Sequence, residues 1–217
     1  MTVLVKICGI NSVEAADAAV RAGADFGGVV FHPKSPRHLA LDAARALAGR
    51  MRGRIHLVAL VADADDATIA AVLHAIQPTY LQLHGSETPR RTGEIRARFG
   101  LPVIKAVAVA EPADFAQVAE YEIAADILLF DAKAPDGEAR PGGHGAPFDW
   151  QLLRGRSFFR PWLLAGGLSP SNVARAIASA DAPGVDVSSG VETAPGVKSA
   201  ALIAEFVSAA RNLQEAR

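Results

Sequence analysis

Short β-branched or aliphatic runs alternate along the chain with Ala-rich stretches whose apolar positions recur at helical spacing. The first kind predicts strands over residues 3–8, 26–31, 55–61, 80–84, 103–109, 127–131, 162–165 and 185–188. The second predicts helices near 12–22, 41–50, 65–76, 89–99, 112–124, 169–180 and 198–211, with a shorter piece after Asp149. Helix starts carry capping residues: Asn11 or Ser12, Asp65 with Thr68 behind it, and Ser169 followed by Pro170. Strict strand-then-helix alternation implies parallel strands joined by crossover helices. Eight such units predict one α/β domain over residues 1–217, a closed (β/α)8 TIM barrel with short loops. An open doubly wound sheet alternates in the same way, but no nucleotide fingerprint supports it. The one long connection, residues 132–148, holds Pro-Asp-Gly and Pro-Gly-Gly-His-Gly, including His144. A loop of that length inside a compact domain suits a functional cover.

The 217 residues carry 22 Lys plus Arg against 23 Asp plus Glu, a net charge of −1. That balance gives no basic surface for nucleic acid. Half of the residues are hydrophobic and 21% are charged, a globular composition. Cys8 is the single cysteine, so no intramolecular disulfide can form. No signal-peptide pattern and no apolar run near the ~18 residues of a membrane span are present. The expectation is a soluble cytoplasmic protein, monomer or homodimer, without nucleic acid or membrane partners.

Barrel chemistry collects at the carboxyl ends of the strands, and polar or glycine residues follow the apolar runs there. They are Lys6-Ile7-Cys8-Gly9, Ser35-Pro36-Arg37, Gln82-Leu83-His84-Gly85, Asp131, Gly166-Gly167-Leu168-Ser169 and Asp186-Val187-Ser188-Ser189-Gly190. Strand parity puts Lys6 and Cys8 on one face, and Gln82 with His84, turned into the mouth. Gly166 and Gly167 with Ser188, Ser189 and Gly190 read as a two-loop phosphate cradle. Cys8 is a small core residue or a base whose thiolate Lys6 favours. Asp131 is a loop-capping carboxylate or an acid facing Cys8. Arg37 has the planar fork that a substrate carboxylate demands. His32, His38, His56, His74 and His144 show no metal-ligand spacing, so neither a metal nor a cofactor is expected.

These segments, with Gly28-Val29-Val30-Phe31, Gly142-Gly143, Phe148-Asp149-Trp150 and Val191-Glu192, run in the order of the phosphoribosylanthranilate isomerase family, which the chain resembles throughout. The resemblance implies an Amadori rearrangement in tryptophan biosynthesis, from N-(5-phosphoribosyl)anthranilate to 1-(2-carboxyphenylamino)-1-deoxyribulose 5-phosphate. It implies Cys8 as general base, Asp131 as general acid and Arg37 on the anthranilate carboxylate. The backbone at Gly166, Gly167, Ser188, Ser189 and Gly190 falls on the phosphate site, and His84 and Asp186 on mouth positions that contact substrate. Gly143-His144-Gly145-Ala146 departs from the family, which often has Ser, Thr or Asn after the glycines and a Lys beyond. Three rivals remain: another phosphosugar barrel, a Schiff-base aldolase on Lys6 or Lys105, and a non-catalytic phosphometabolite-binding protein.

Overall fold

The computed structural model describes residues 2–133 and 148–212. Eight strands form the sheet: β1 Leu4–Cys8, β2 Phe26–Val30, β3 His56–Val61, β4 Tyr80–Leu83, β5 Val103–Val109, β6 Ile127–Ala132, β7 Trp162–Leu164 and β8 Gly184–Val187. They run in sequence order, each paired in parallel with the next, and β1 also pairs with β8. The sheet therefore closes, which excludes the open doubly wound alternative. Alternation along each strand separates two apolar regions. Val5, Ile7, Leu81, Leu83, Val185 and Val187 face outward into the main core shared with the helices. Phe26, Val58, Ile104, Leu129 and Leu163 fill the barrel interior. Phe26, His56 and Tyr80 stack at centroid distances of 5.2–5.6 Å and close its amino-terminal end.

The outer layer comprises α1 Val13–Ala22, α2 Leu41–Met51, α3 Asp66–Ile76, α4 Pro89–Phe99, α5 Val118–Ala124, α6 Val173–Ala180 and α7 Ala200–Arg211. Ser12, Asp65, Thr88 and Ser199 cap four of these, each accepting from the N–H three residues on. None of these helices is long and apolar enough to cross a membrane.

Two predicted helices are shorter than their pattern. The 112–124 stretch divides because Asp114 accepts from the N–H groups of Ala110 and Glu111, closing a 3-10 turn over Pro112–Phe115 before α5 begins. The 169–180 helix starts later, at Val173. Asn172 accepts from the Ser169 N–H at 2.8 Å and donates to the Gly167 carbonyl at 2.8 Å, holding the intervening residues in a turn. Trp150–Leu153 forms a short 3-10 turn where a sixth crossover helix would stand. An unpredicted hairpin, β9 Glu192–Ala194 with β10 Val197–Lys198, lies between β8 and α7.

Candidate active site

On one side of the barrel mouth, β1 sends Lys6 and Cys8 inward, as parity predicts. A Cβ built on Gly28 of β2 would lie 3.3 Å from Cys8 Sγ and 3.4 Å from Lys6 Nζ, so both side chains occupy space that glycine leaves free. Cys8 belongs to a small apolar group with Val30 and Leu60. Lys6 is fully buried and pairs with Asp186 of β8 at 2.8 Å. Burial is the largest influence on the Lys6 ammonium and pulls it down, but the charges and hydrogen bonds of Asp186 and Cys8 together outweigh it and the net shift is upward. Asp186, expected to touch substrate, accepts from this buried lysine through Oδ1.

Lys6 favours the Cys8 thiolate as expected, but it does not prevail. Burial pushes the thiol up, the Lys6 charge opposes it, Asp186 adds to the rise, and the net direction is up. Lys6 is a weaker activator than its position suggests because its charge is already matched by Asp186.

Across the mouth, Gln82 Nε2 lies 2.8 Å from His84 Nδ1, and His84 Nε2 lies 3.2 Å from Asp131 Oδ2. With the Gln82 amide as donor, the ring proton sits on Nε2 and is donated to Asp131. Asp131 Oδ1 accepts from the Ala132 N–H at 2.8 Å. His84 and Asp131 meet although β5 runs between their strands, because β5 turns the small Ala106 and Ala108 inward, with Ala108 in register with Asp131.

Lys105 takes the opposite parity. It faces the helix layer, where its ammonium donates to the Gly85 carbonyl at 2.7 Å and Glu87 Oε2 at 2.8 Å. A Schiff-base nucleophile must be a free amine. Lys105 points away from the mouth and Lys6 is held protonated, so neither suits that role.

Arg37, in the loop after β2, is buried at 5% exposure. Its stem crosses Gly9, whose left-handed φ of +76° and missing side chain leave the room; a Cβ there would strike Arg37 Cδ. Glu192 grips the guanidinium in a bidentate pair, Nε to Oε1 at 2.7 Å and Nη2 to Oε2 at 2.8 Å. Lys198 reaches the same Oε1 at 2.7 Å and the Ser188 carbonyl at 2.9 Å. Burial pushes the Glu192 carboxyl up, yet the bonds from Arg37 and Lys198 prevail and hold it below its ordinary value. Burial pulls Lys198 down, and Glu192 only partly restores it. Sequence reasoning gave neither Glu192 nor Lys198 a role. The available signal was Pro195-Gly196, a turn pair between two short runs.

The loops after β7 and β8 touch, since a Cβ on Gly190 would run into the Leu168 carbonyl. Gly166 and Gly167 are both left-handed, at φ +85° and +66°. Ser188 spends its hydroxyl on the Cys8 carbonyl at 3.2 Å, which ties β8 to β1 and makes that side chain structural. Ser189 opens a three-residue 3-10 turn containing Gly190. His144 and the Gly142-Gly143 pair lie outside the described residues.

A closed eight-stranded barrel with titratable side chains converging at its carboxyl rim is a TIM-barrel enzyme. The family model described as N-(5'phosphoribosyl)anthranilate (PRA) isomerase matches residues 5–209. The isomerase of Rhodopseudomonas palustris strain HaA2 is 52% identical over 215 residues, covering 99% of each chain. The solved phosphoribosyl anthranilate isomerase of Thermotoga maritima aligns with a TM-score of 0.87 at 36% identity, covering 97% of this chain and 100% of that one. A phosphoribosyl anthranilate isomerase in complex with reduced 1-(o-carboxyphenylamino)-1-deoxyribulose 5-phosphate aligns at 0.83 and 35% identity, with the same coverage. The chain belongs to the N-(5'-phosphoribosyl)anthranilate isomerase family.

Proposed function

We propose that this isomerase performs the Amadori rearrangement of N-(5'-phosphoribosyl)anthranilate by acid–base catalysis between Cys8 and Asp131. The observation that carries the reading is their setting. Both face inward at the same rim, on β1 and β6, with β7 and β8 between them on the shorter way round the barrel.

Asp131 gives its proton to the ribose ring oxygen as the C1′–O bond breaks and the anthranilate nitrogen forms C1′=N. The carboxylate left behind is met by N–H donors already in position, from His84 and Ala132. Cys8 thiolate then takes the C2′ proton, and the electron pair forms C1′=C2′ while nitrogen recovers its lone pair. Loss of the enol proton and protonation at C1′ give the 1-deoxyribulose ketone. The redox change is internal to the sugar, so proton transfers suffice and no external electron carrier is needed.

Arg37 receives the anthranilate carboxylate. Backbone N–H groups at Gly166, Gly167, Ser188, Ser189 and Gly190 hold the phosphate and orient the reacting carbons from a distance. The adjoining glycine loops support this. The Ser169 N–H, already bonded to Asn172, is excluded from that set. We place this activity in one barrel domain acting in the cytoplasm on a small phosphoribosyl substrate.

The direct test follows the fluorescence of phosphoribosylanthranilate as the purified protein is added. Consumption at enzymic rates is expected, and folded protein that leaves the substrate untouched sinks the reading. The pH dependence is a second check. The productive form has a thiolate and a carboxylic acid, the minor of the two singly protonated forms of the pair, so kcat/KM should be bell-shaped with apparent values that belong to the pair. The falling limb is the titration of the thiol, and burial drives that upward. It should lie above the ordinary thiol value of about 8.5. The rising limb also contains the substrate phosphate, near ~6, so the falling limb is diagnostic. A fall centred near neutral pH would exclude this pair.

A further inference from the structure

We propose that Glu192 and Lys198 are positioning residues that turn Arg37 into a carboxylate receptor, with Lys198 giving it a net positive charge, and that they set the preference for a carboxylate on the substrate's aromatic ring. This deepens the isomerase reading and rests on it, because that substrate carries one carboxylate on its ring.

The stoichiometry of donors is the starting point. A guanidinium has five N–H groups in a fixed plane. Glu192 occupies two, on Nε and Nη2. Among the described residues no acceptor engages Nη1, so the Nη1–Nη2 edge keeps two parallel donors, the pattern a second carboxylate accepts bidentately. The grip of Glu192 fixes the plane of that edge, so little rotamer freedom is lost when substrate arrives.

The same grip has an electrostatic drawback. An arginine matched by one glutamate is a neutral pair, and a neutral pair attracts a third, anionic group weakly. Lys198 corrects this. Its side chain has 0% exposure and stands 2.7 Å from Glu192, so the buried triad holds two cations against one anion. Lys198 takes no part of the Arg37 edge; its other donors go to Ser188 O and Oγ, at 2.9 and 3.3 Å.

The hairpin exists on terms that suit this task. Asn11 Nδ2 donates to the Gly196 carbonyl at 2.8 Å, and the Gly196 N–H donates to Glu192 Oε2 at 3.2 Å. A Cβ on Gly196, at φ +80°, would press to 2.7 Å from the carbonyl oxygen of Pro36, the residue before Arg37. The turn thus rests on the backbone that carries Arg37 and returns Lys198 beneath it.

The experiment compares two substrates, phosphoribosylanthranilate and the phosphoribosylated aniline that lacks the carboxylate, in steady-state kinetics. Lys198→Gln removes the charge and retains a donor; Lys198→Met removes both. In each, kcat/KM for the carboxylate substrate should fall by about tenfold or more, carried by KM with kcat within about threefold, while the decarboxylated analogue changes little. Lys198→Arg should restore most of the preference. Equal losses on both substrates would reduce Lys198 to a structural residue, and so would a loss confined to kcat. An unchanged preference in Lys198→Gln overturns the charge role even if Lys198→Met does not fold. If the wild-type protein turned over neither substrate, the parent reading would fail and this inference with it; wild-type turnover without a carboxylate preference would overturn the inference alone.

Discussion

Cys8→Ala should retain substrate binding and lose turnover by about 10³-fold, within the 10²- to 10⁴-fold range that a positioned general base supplies. The expected pattern is a fall in kcat with KM within about threefold, because the sulfur contributes to proton abstraction in the transition state and little to the ground state. Folding should survive. Cys8 belongs to a small apolar group with Val30 and Leu60, and its removal leaves the Lys6–Asp186 pair intact, so the stability loss should be about 1 kcal/mol. Cys8→Ser should be nearly as poor, since a serine hydroxyl with no adjacent base is scarcely ionised. Steady-state kinetics with thermal unfolding of the same samples separates chemistry from folding. An alanine variant keeping more than about a tenth of wild-type kcat would remove Cys8 from the proton-transfer step.

Whatever depends on local pattern could be read from the chain. Each strand was legible because its two faces meet two different apolar regions, and parity alone aimed Lys6, Cys8, Gln82 and His84 inward. Closure of the barrel creates what local pattern cannot carry. Lys6 meets Asp186 across 180 positions of sequence and Arg37 meets Glu192 across 155. Without those partners, Lys6 reads as a free activator of the thiol and Arg37 as a free receptor. With them, the lysine charge is largely matched, burial dominates the thiol, and the receptor is already half occupied. The helix boundaries failed for a smaller reason. Asp114 and Asn172 bond to nearby backbone and convert the first turn of a periodic stretch into something tighter. Residues 134–147, with His144, are outside the described residues, and the departure from the family pattern there carries no structural reading.

Lys6→Met should be the most destabilising single change at the site, by about 3–5 kcal/mol, because it strands the Asp186 carboxylate at 6% exposure without the cation it pairs with. Two effects compete in the native pair. Desolvating both ions opposes folding, and their contact at 2.8 Å favours it; the balance for an intact buried pair is near neutral against an apolar replacement, whereas half a pair retains the desolvation alone. Lys6→Met combined with Asp186→Leu should therefore recover most of the lost stability in urea unfolding, giving a large favourable coupling in the double-mutant cycle. Activity should behave differently. The Lys6 ammonium is the leading influence that lowers the Cys8 thiol against its burial. The double variant should therefore fold well yet remain slow, with the falling limb of its pH–rate profile moved further alkaline. Recovery of both stability and rate would mean that the ion pair serves the fold alone. A loss below about 1 kcal/mol in Lys6→Met would mean that Asp186 finds another partner or takes up a proton.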